Sequence, residues 1–209
     1  MEYLGYELTP ELSEEAFQRD REELLEAFDP RYVSIDELDP PAGCLGQFLV
    51  TVLHPTYILT SPEATEPEPV DELSFMARVH NHYPAIAPQL FFLPDCRLAH
   101  VNTYRSGTQC IDIWGKYSSL KNVVEKTIRA IIYDENVTKY NSMACSCIED
   151  WQKEMARKGA FPLLDPPDLI LRANTAPTRT DQLPPPLPGQ FPVGEPARGP
   201  VPPPLPGRG

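Results

Sequence analysis

The sequence has no long hydrophobic run, and basic residues are scarce in it. No segment approaches the ~18 consecutive apolar residues that a membrane-spanning helix requires. The first thirty residues lack a basic start followed by an apolar stretch, so we expect no secretory signal. Lys and Arg together number 18 against 30 Asp and Glu, a net charge of −12, which argues against nucleic acid or an anionic membrane as partner. We therefore expect a soluble cytoplasmic protein that binds neither.

The cysteines are few, and their number is odd. Five irregularly spaced cysteines in a chain of 209 residues are typical of free thiols in a reducing compartment. His80, His82, Cys145 and Cys147 could supply four zinc ligands, but one-residue spacings suit a closed tetrahedral site poorly. On a helix, Cys145 and Cys147 would also point about 200° apart. We expect ordinary packing at these positions, with no metal and no cofactor.

Charge and proline are unevenly distributed along the chain. Residues 1–75 carry 18 acidic and 3 basic side chains, whereas residues 76–160 carry 8 and 11. The last 49 residues hold 15 of the 26 prolines and no Tyr, Trp, Cys or Lys. Such a composition offers little material for a core and disfavours helices and central strands. The sequence predicts one folded domain over residues 1–161 and a disordered Pro-rich tail over residues 162–209.

The pattern of apolar residues predicts an α+β domain. A helix is expected to begin at Pro10, capped by Thr9, and to end at Asp29-Pro30. Three segments then have the composition of strands of an antiparallel sheet: 47–53, 72–79 and 89–93. Residues 94–109 contain no recognisable element, and an irregular stretch of this length is usually functional. Helices are predicted over about 120–133 and 142–158.

Cys110 closes the irregular stretch and is the first candidate for chemistry. Alternation places Cys110 and Asp112 on one face and Ile111 and Ile113 on the other, which exposes the thiol if the isoleucines enter the core. A thiolate is a competent acyl acceptor, and the amide of Asn102 in the same stretch could donate a hydrogen bond to an oxyanion. The alternative is that Cys110 is a small buried hydrophobic residue, as many free cysteines are.

Five sequence features occur together in a fixed order. They are Tyr83-Pro84-Ala85-Ile86-Ala87-Pro88, a strand, His100-Val101-Asn102, Cys110 eight residues after the Asn, and Tyr117-Ser118. This arrangement resembles the ubiquitin-conjugating enzyme family, whose core reads Tyr-Pro-x-x-x-Pro, His-Pro-Asn, a catalytic Cys eight residues later, and Trp-Ser. The resemblance covers roughly residues 9–160. It implies the family's fold, with an N-terminal helix, a four-stranded antiparallel sheet, an active-site loop and C-terminal helices.

The resemblance also implies a function and roles for particular residues. Cys110 would accept the carboxyl terminus of a ubiquitin-like modifier as a thioester from an activating enzyme and pass it to an amine of a protein substrate. Asn102 would orient the loop and stabilise the oxyanion, while His100 would support the loop without acting as a base. Asp112 matches an Asp of the family's pattern and is assigned to loop support. The chain has no Gly-x-x-x-x-Gly-Lys phosphate loop, so ATP would be consumed by the activating enzyme.

The sequence departs from the family's pattern at several positions. Val101 replaces the Pro of the His-Pro-Asn motif, and Tyr117 replaces the Trp. Lys139 and Asn141 stand where the family often has acids beside the Cys, which puts activation of an acceptor lysine in doubt. The first 40 residues hold 13 acids and 3 basic residues, whereas the family's first helix is often basic. This difference favours a divergent pathway, such as a bacterial one that serves antiphage defence.

The tail contains a repeat. Residues 183–189 and 201–207 read Leu/Val-Pro-Pro-Pro-Leu-Pro-Gly, offset by 18 residues. Such runs favour the extended left-handed helix that aromatic grooves bind at low entropic cost. The tail is therefore either a docking segment for a binder of Pro-rich motifs or a solvated extension without a dedicated partner.

Two further hypotheses assign the protein to other functional classes, a non-catalytic binding protein and a hydrolase. One is an inactive relative that binds a modifier or partner through the same fold, with the tail as docking segment. The other is a Cys-dependent hydrolase, which would need the imidazole of His100 within ~3 Å of the Cys110 thiol.

Overall fold

The computed structural model describes residues 2–3, 6–7, 9–93, 95–110, 114–115, 118–140, 143–164 and 166–172. These ranges contain three α-helices: α1 (Pro10–Ala27), α2 (Leu120–Ile131) and α3 (Glu149–Lys158). They also contain nine strands: β1 (Glu2–Tyr3), β2 (Tyr6–Glu7), β3 (Val33–Leu38), β4 (Cys44–Val52), β5 (Thr56–Leu59), β6 (Glu68–Val70), β7 (Leu73–His80), β8 (Gln89–Phe92) and β9 (Arg97–Leu98). Within the described part, no helix is long and apolar enough to cross a membrane.

The central element is a four-stranded antiparallel sheet in the order β3-β4-β7-β8. Alternate residues of β4 and β7 are buried, which gives this sheet one apolar face, formed by Phe48, Val50, Val52, Leu73, Phe75, Ala77 and Val79. The predicted α+β architecture with a four-stranded antiparallel sheet is therefore confirmed. A second, three-stranded sheet has the order β6-β5-β9, and β1 pairs with β2.

Helices α1 and α2 contribute to the same hydrophobic core as the four-stranded sheet. Phe17 and Leu24 of α1 and Val124 and Ile128 of α2 are fully or almost fully buried in it. Helix α1 begins where its sequence predicts, since Pro10 opens the helix and the Thr9 hydroxyl accepts a hydrogen bond from the Leu12 N–H at 3.4 Å.

A buried carboxylate links these helices to the turn that follows β7. The hydroxyl of Tyr83 donates a hydrogen bond to Asp20, whose carboxylate also accepts from the N–H of Leu120 at 3.5 Å. The neighbouring Tyr83–Pro84 peptide bond is cis. Trp114 packs on this turn: its ring lies 5.8 Å from that of Tyr83, and its indole N–H donates to the Pro84 carbonyl at 2.6 Å. Three segments that are distant in the sequence are thus joined around Asp20 and Tyr83.

The folded part extends beyond the predicted boundary at Phe161. The Asp29 N–H donates to the carbonyl of Ile170 at 2.8 Å, and the N–H of Arg172 donates to the carbonyl of Ala27 at 3.0 Å. Ile170 is fully buried in the main core. Residues 166–172 therefore belong to the fold, because they cover the C-terminal end of α1. Residues 173–209, with both proline repeats, lie outside the described residues.

The prediction that every cysteine is a free thiol is wrong for one pair. Cys145 and Cys147 form a disulfide, whereas Cys44, Cys96 and Cys110 are free. The helical spacing assumed for this pair does not apply, because Cys145 caps a short 3-10 turn (Ser146–Ile148) that precedes α3. His80 and His82 contact each other, with the His82 N–H donating to the His80 ring at 3.3 Å. No group of three or more metal-ligating side chains occurs in the described ranges.

Candidate functional site

The predicted irregular stretch ends in a tight antiparallel turn, which we call the site hairpin (residues 102–110). Thr103 pairs with Gln109, and their buried side chains join through a 2.9 Å hydrogen bond. The N–H of Cys110 donates to the carbonyl of Asn102 at 2.9 Å. Since side chains alternate along paired segments, Asn102, Tyr104 and Cys110 lie on the face opposite Thr103 and Gln109. The hairpin thus brings together two residues that are eight positions apart in the sequence.

Two hydrogen bonds attach the site hairpin to the edge of the main sheet. The Phe92 N–H donates to the carbonyl of Gly107 at 2.9 Å, and the N–H of Gln109 donates to the carbonyl of Leu90 at 2.8 Å. Gly107 has a φ of +84°, and a Cβ there would lie 3.0 Å from the carbonyl oxygen of Phe92. Glycine is therefore required both by the backbone conformation and by the close approach of β8. The hairpin edge carrying Cys110 is held by a core strand.

Asn102 has a buried side chain with a fixed orientation. It is 3% exposed, and its side-chain carbonyl accepts a hydrogen bond from the N–H of Lys139 at 3.3 Å. This contact fixes which end of the amide faces Lys139, and Nδ2, the donor of the amide, lies at the other end. Segment 134–140, which supplies the contact, starts at Asp134; its carboxylate accepts from the N–H of Asn136 at 3.0 Å and from Arg129 at 2.8 Å.

His100 is buried and neutral. Its Nδ1 accepts a hydrogen bond from the Asn102 N–H at 3.2 Å, so Nε2 carries the proton and donates to the hydroxyl of Thr138 at 3.1 Å. The ring is 1% exposed, and burial lowers the pKa of His100 to about 3. Both ring nitrogens are engaged away from Cys110. This arrangement suits a structural His and gives no support to a hydrolase in which His100 acts as base.

The thiol of Cys110 is half-buried, and two side chains missed by the sequence interpretation, Tyr104 and Lys126, interact with it electrostatically. The charge on Cys110 raises the pKa of the nearby Tyr104 phenol. Lys126 of α2 lies within electrostatic range: burial and the charge of Lys139 lower its pKa, while Cys110 acts in the opposite direction. The site therefore combines a thiol, a phenol, an amide and two cations.

The signals for these missed residues differ in kind. Tyr104 could have been found by extending the alternation from Asn102 and Cys110, once the hairpin was recognised. Lys126 is 16 positions from Cys110 and comes within electrostatic range of it only through the tertiary fold, so no local pattern indicates it. Of the predicted site residues, Cys110, Asn102 and His100 are adjacent in the structure. Asp112 lies outside the described residues, as do Tyr117 and Asn141.

Comparison with known proteins yields likenesses to solved structures but none at the level of sequence. No family model matches the chain, and no curated protein is significantly similar to it in sequence. Among solved structures it is similar to S. cerevisiae Ubc12, with 15% identity over 69% of this chain and 71% of that chain and a TM-score of 0.45. Any assignment of function must therefore come from this chain's own residues.

Proposed function

We propose that this protein carries a ubiquitin-like modifier as a thioester on Cys110 and transfers it to an amine of a target protein. The single observation that carries the proposal is the site hairpin, in which Asn102 and Cys110 are joined by a 2.9 Å backbone hydrogen bond on one face. The element order supports it: an N-terminal helix, an antiparallel sheet, the Cys-bearing segment and then helices, as the sequence resemblance implies.

Neither the charging step nor the transfer step requires a base as strong as histidine beside Cys110. In the charging step, the Cys110 thiolate attacks the thioester on the activating enzyme, and the enzyme's thiolate leaves with the proton that Cys110 released. In the transfer step, the substrate amine attacks the carbonyl carbon, and the C–S bond breaks as the new amide forms. The amine loses a proton, and the departing Cys110 thiolate regains one.

Asn102 is assigned to the oxyanion of this transfer step. The N–H of Lys139 engages Oδ1 of its side chain, which leaves Nδ2 as the donor toward an oxygen on the carbon bonded to Cys110. His100 has the supporting role, since its ring connects the Asn102 N–H to Thr138 and stays neutral. Asp112 remains a prediction for loop support.

The predicted partners are a ubiquitin-like modifier, an activating enzyme and a protein substrate. Exposed acids of α1, including Glu11, Glu14 and Glu15, call for an activating enzyme whose docking surface is basic or neutral. A cytoplasmic location, a bacterial antiphage pathway and a binder of Pro-rich motifs at the tail stay predictions.

The test is a charging assay with the full chain, ATP, and the activating enzyme and modifier encoded beside its gene. We expect an adduct that reductant removes, that Cys110→Ala abolishes and that Cys110→Ser converts into a reductant-stable ester. Cys96→Ala is the matched control, because Cys96 is also a half-buried free thiol and should leave charging intact.

Two outcomes would contradict the proposal. If the activating enzyme charges itself but never transfers the modifier to this chain, the carrier function is refuted, and a non-catalytic binding role for the same fold becomes the better explanation. An adduct that survives Cys110→Ala would place the chemistry at another residue.

A further inference from the structure

The backbone of Val101, between His100 and Asn102, is held by hydrogen bonds that the proposed reaction does not use. Val101 is completely buried, and its N–H donates to the side-chain carbonyl of Gln152 at 2.9 Å. Gln152 belongs to α3 and is itself 1% exposed. A buried glutamine whose oxygen accepts from the N–H of the residue before Asn102 is a specific arrangement, because amide side chains are seldom buried without a hydrogen-bonding role.

The opposite side of Val101 is held by the same region of the chain. Its carbonyl accepts hydrogen bonds from the N–H groups of Ala144 at 2.8 Å and Cys145 at 3.0 Å. Residues 144–152 therefore bind both polar groups of Val101. These three hydrogen bonds fix the backbone on the N-terminal side of Asn102. On the C-terminal side, the N–H of Cys110 fixes the backbone by donating to the Asn102 carbonyl.

We propose that Gln152 is a positioning residue for the thioester site, which acts by accepting the Val101 N–H and thereby holding Asn102 in register with Cys110. The inference rests on the proposed function and assigns to it a residue 42 positions beyond Cys110 in the sequence. Gln152 touches no reacting atom. Its influence passes through Val101 to Asn102, and from the Asn102 carbonyl to the N–H of Cys110.

The need for this acceptor follows from the residue at position 101. A proline there, as in the His-Pro-Asn motif that the sequence resembles, has no N–H and would require no partner. Valine carries an N–H into a site that water does not reach, and an unpaired buried donor is costly. The structure therefore predicts that Val101 and Gln152 are energetically coupled: the glutamine matters only while the N–H is present.

The experiment is a double-mutant cycle on the full chain, read as single-turnover discharge of the charged carrier to an amine. Gln152→Leu removes the acceptor at similar volume, Gln152→Glu retains an acceptor oxygen, and Val101→Pro removes the donor. Lys153→Gln, at the exposed neighbouring position of α3, is the matched control. Melting temperature is recorded for every variant, so that loss of fold is separated from loss of positioning.

We expect Gln152→Leu to slow discharge at saturating amine about tenfold, the order expected for orphaning a buried donor, with little change in the amine concentration for half-maximal rate. Gln152→Glu should retain most of the rate. In the Val101→Pro background, Gln152→Leu should change the rate by less than about threefold, because no donor is left to orphan. Lys153→Gln should match the wild type.

Two results would overturn the inference. One is wild-type discharge by Gln152→Leu, and the other is an equal loss from Gln152→Leu in the valine and proline backgrounds, which would mean that Gln152 supports packing only. If Gln152→Leu does not fold, two comparisons remain to test the inference. One is Gln152→Glu against the wild type, and the other is Val101→Pro with and without Gln152→Leu. A wild-type chain that never charges refutes the proposed function instead, and amide exchange of Val101 then reports separately whether Gln152 protects that N–H.

Discussion

The buried His100 makes the stability of this domain depend on pH in a calculable way. In the folded state burial lowers its pKa to about 3, whereas an exposed histidine in the unfolded chain titrates near its ordinary value of about 6.5. Above that value the ring is neutral in both states and contributes no pH dependence. As the pH falls below about 6.5, His100 binds a proton in the unfolded state but not in the folded state, so the free energy of unfolding decreases.

The size of the loss follows from the two pKa values. Between pH 7.5 and pH 5.0, the linkage relation gives a decrease of about 2 kcal/mol in the free energy of unfolding from His100 alone. The groups nearest the ring do not share this titration. Tyr133, whose ring lies 5.9 Å away, has a pKa raised by burial, and Thr138 does not ionise.

Urea unfolding at several pH values measures this effect in three proteins. His100→Asn retains an acceptor for the Asn102 N–H but cannot gain a proton, so its stability should fall about 2 kcal/mol less than that of the wild type between pH 7.5 and 5.0. Thr138→Val should lower stability by about 1 kcal/mol at every pH and keep the wild-type slope, because the ring remains buried. Equal pH slopes in the wild type and His100→Asn would refute the reasoning.

Two further predictions concern contacts remote from Cys110. Tyr83→Phe removes the hydroxyl that donates to the buried Asp20 carboxylate and should lower the free energy of unfolding by about 1.5–3 kcal/mol, measured by denaturant titration at pH 7.5; a change below ~0.5 kcal/mol would show that the contact adds nothing. Alkylation of the unfolded protein followed by mass measurement should count three reactive thiols before reduction and five after it, because Cys145 and Cys147 form a disulfide. Five before reduction would contradict that bond.

Where the sequence predicted the fold well, the signals were local. Helix α1 begins at Pro10 because Thr9 caps it and Pro suits the first turn, and both facts are readable within four residues. Strand β4 alternates buried and half-buried side chains because one face of its sheet packs into the core, and its Phe48-Val50-Val52 alternation is readable in the sequence. Helix α2 stops at Ile131 although the apolar pattern continues to Tyr133, since Tyr133 adopts a φ of 54° and stacks on Phe161 at 3.9 Å between ring centroids. Ile132 and Tyr133 are buried although they lie beyond the end of α2, so the apolar pattern in the sequence is longer than the helix.

The site hairpin escaped prediction because its inward-facing residues are polar. Alternation identifies a strand when apolar side chains point inward, but here Thr103 and Gln109 are the buried pair, joined by a hydrogen bond. Their polarity made residues 94–109 appear irregular. The folded segment 166–172 was missed for a related reason: the proline content of 49 residues masked the two apolar side chains, Ile170 and Leu171, that pack into or against the core.

The candidate site was predictable to the extent that it lies within one stretch of chain. Cys110, Asn102 and His100 could be proposed because their spacing is fixed by a single hairpin and the turn that precedes it. The groups that hold them come from elsewhere: Thr138 binds the ring of His100, the Lys139 N–H orients the Asn102 amide, and Gln152 accepts the N–H between them. Each contact is a single hydrogen bond to a polar atom inside the protein, where an unpaired group is costly. Sequence periodicity reports burial of apolar surface, so such contacts leave no trace in it, and substitutions at these supporting positions are expected to affect the site most strongly among residues that never touch the thiol.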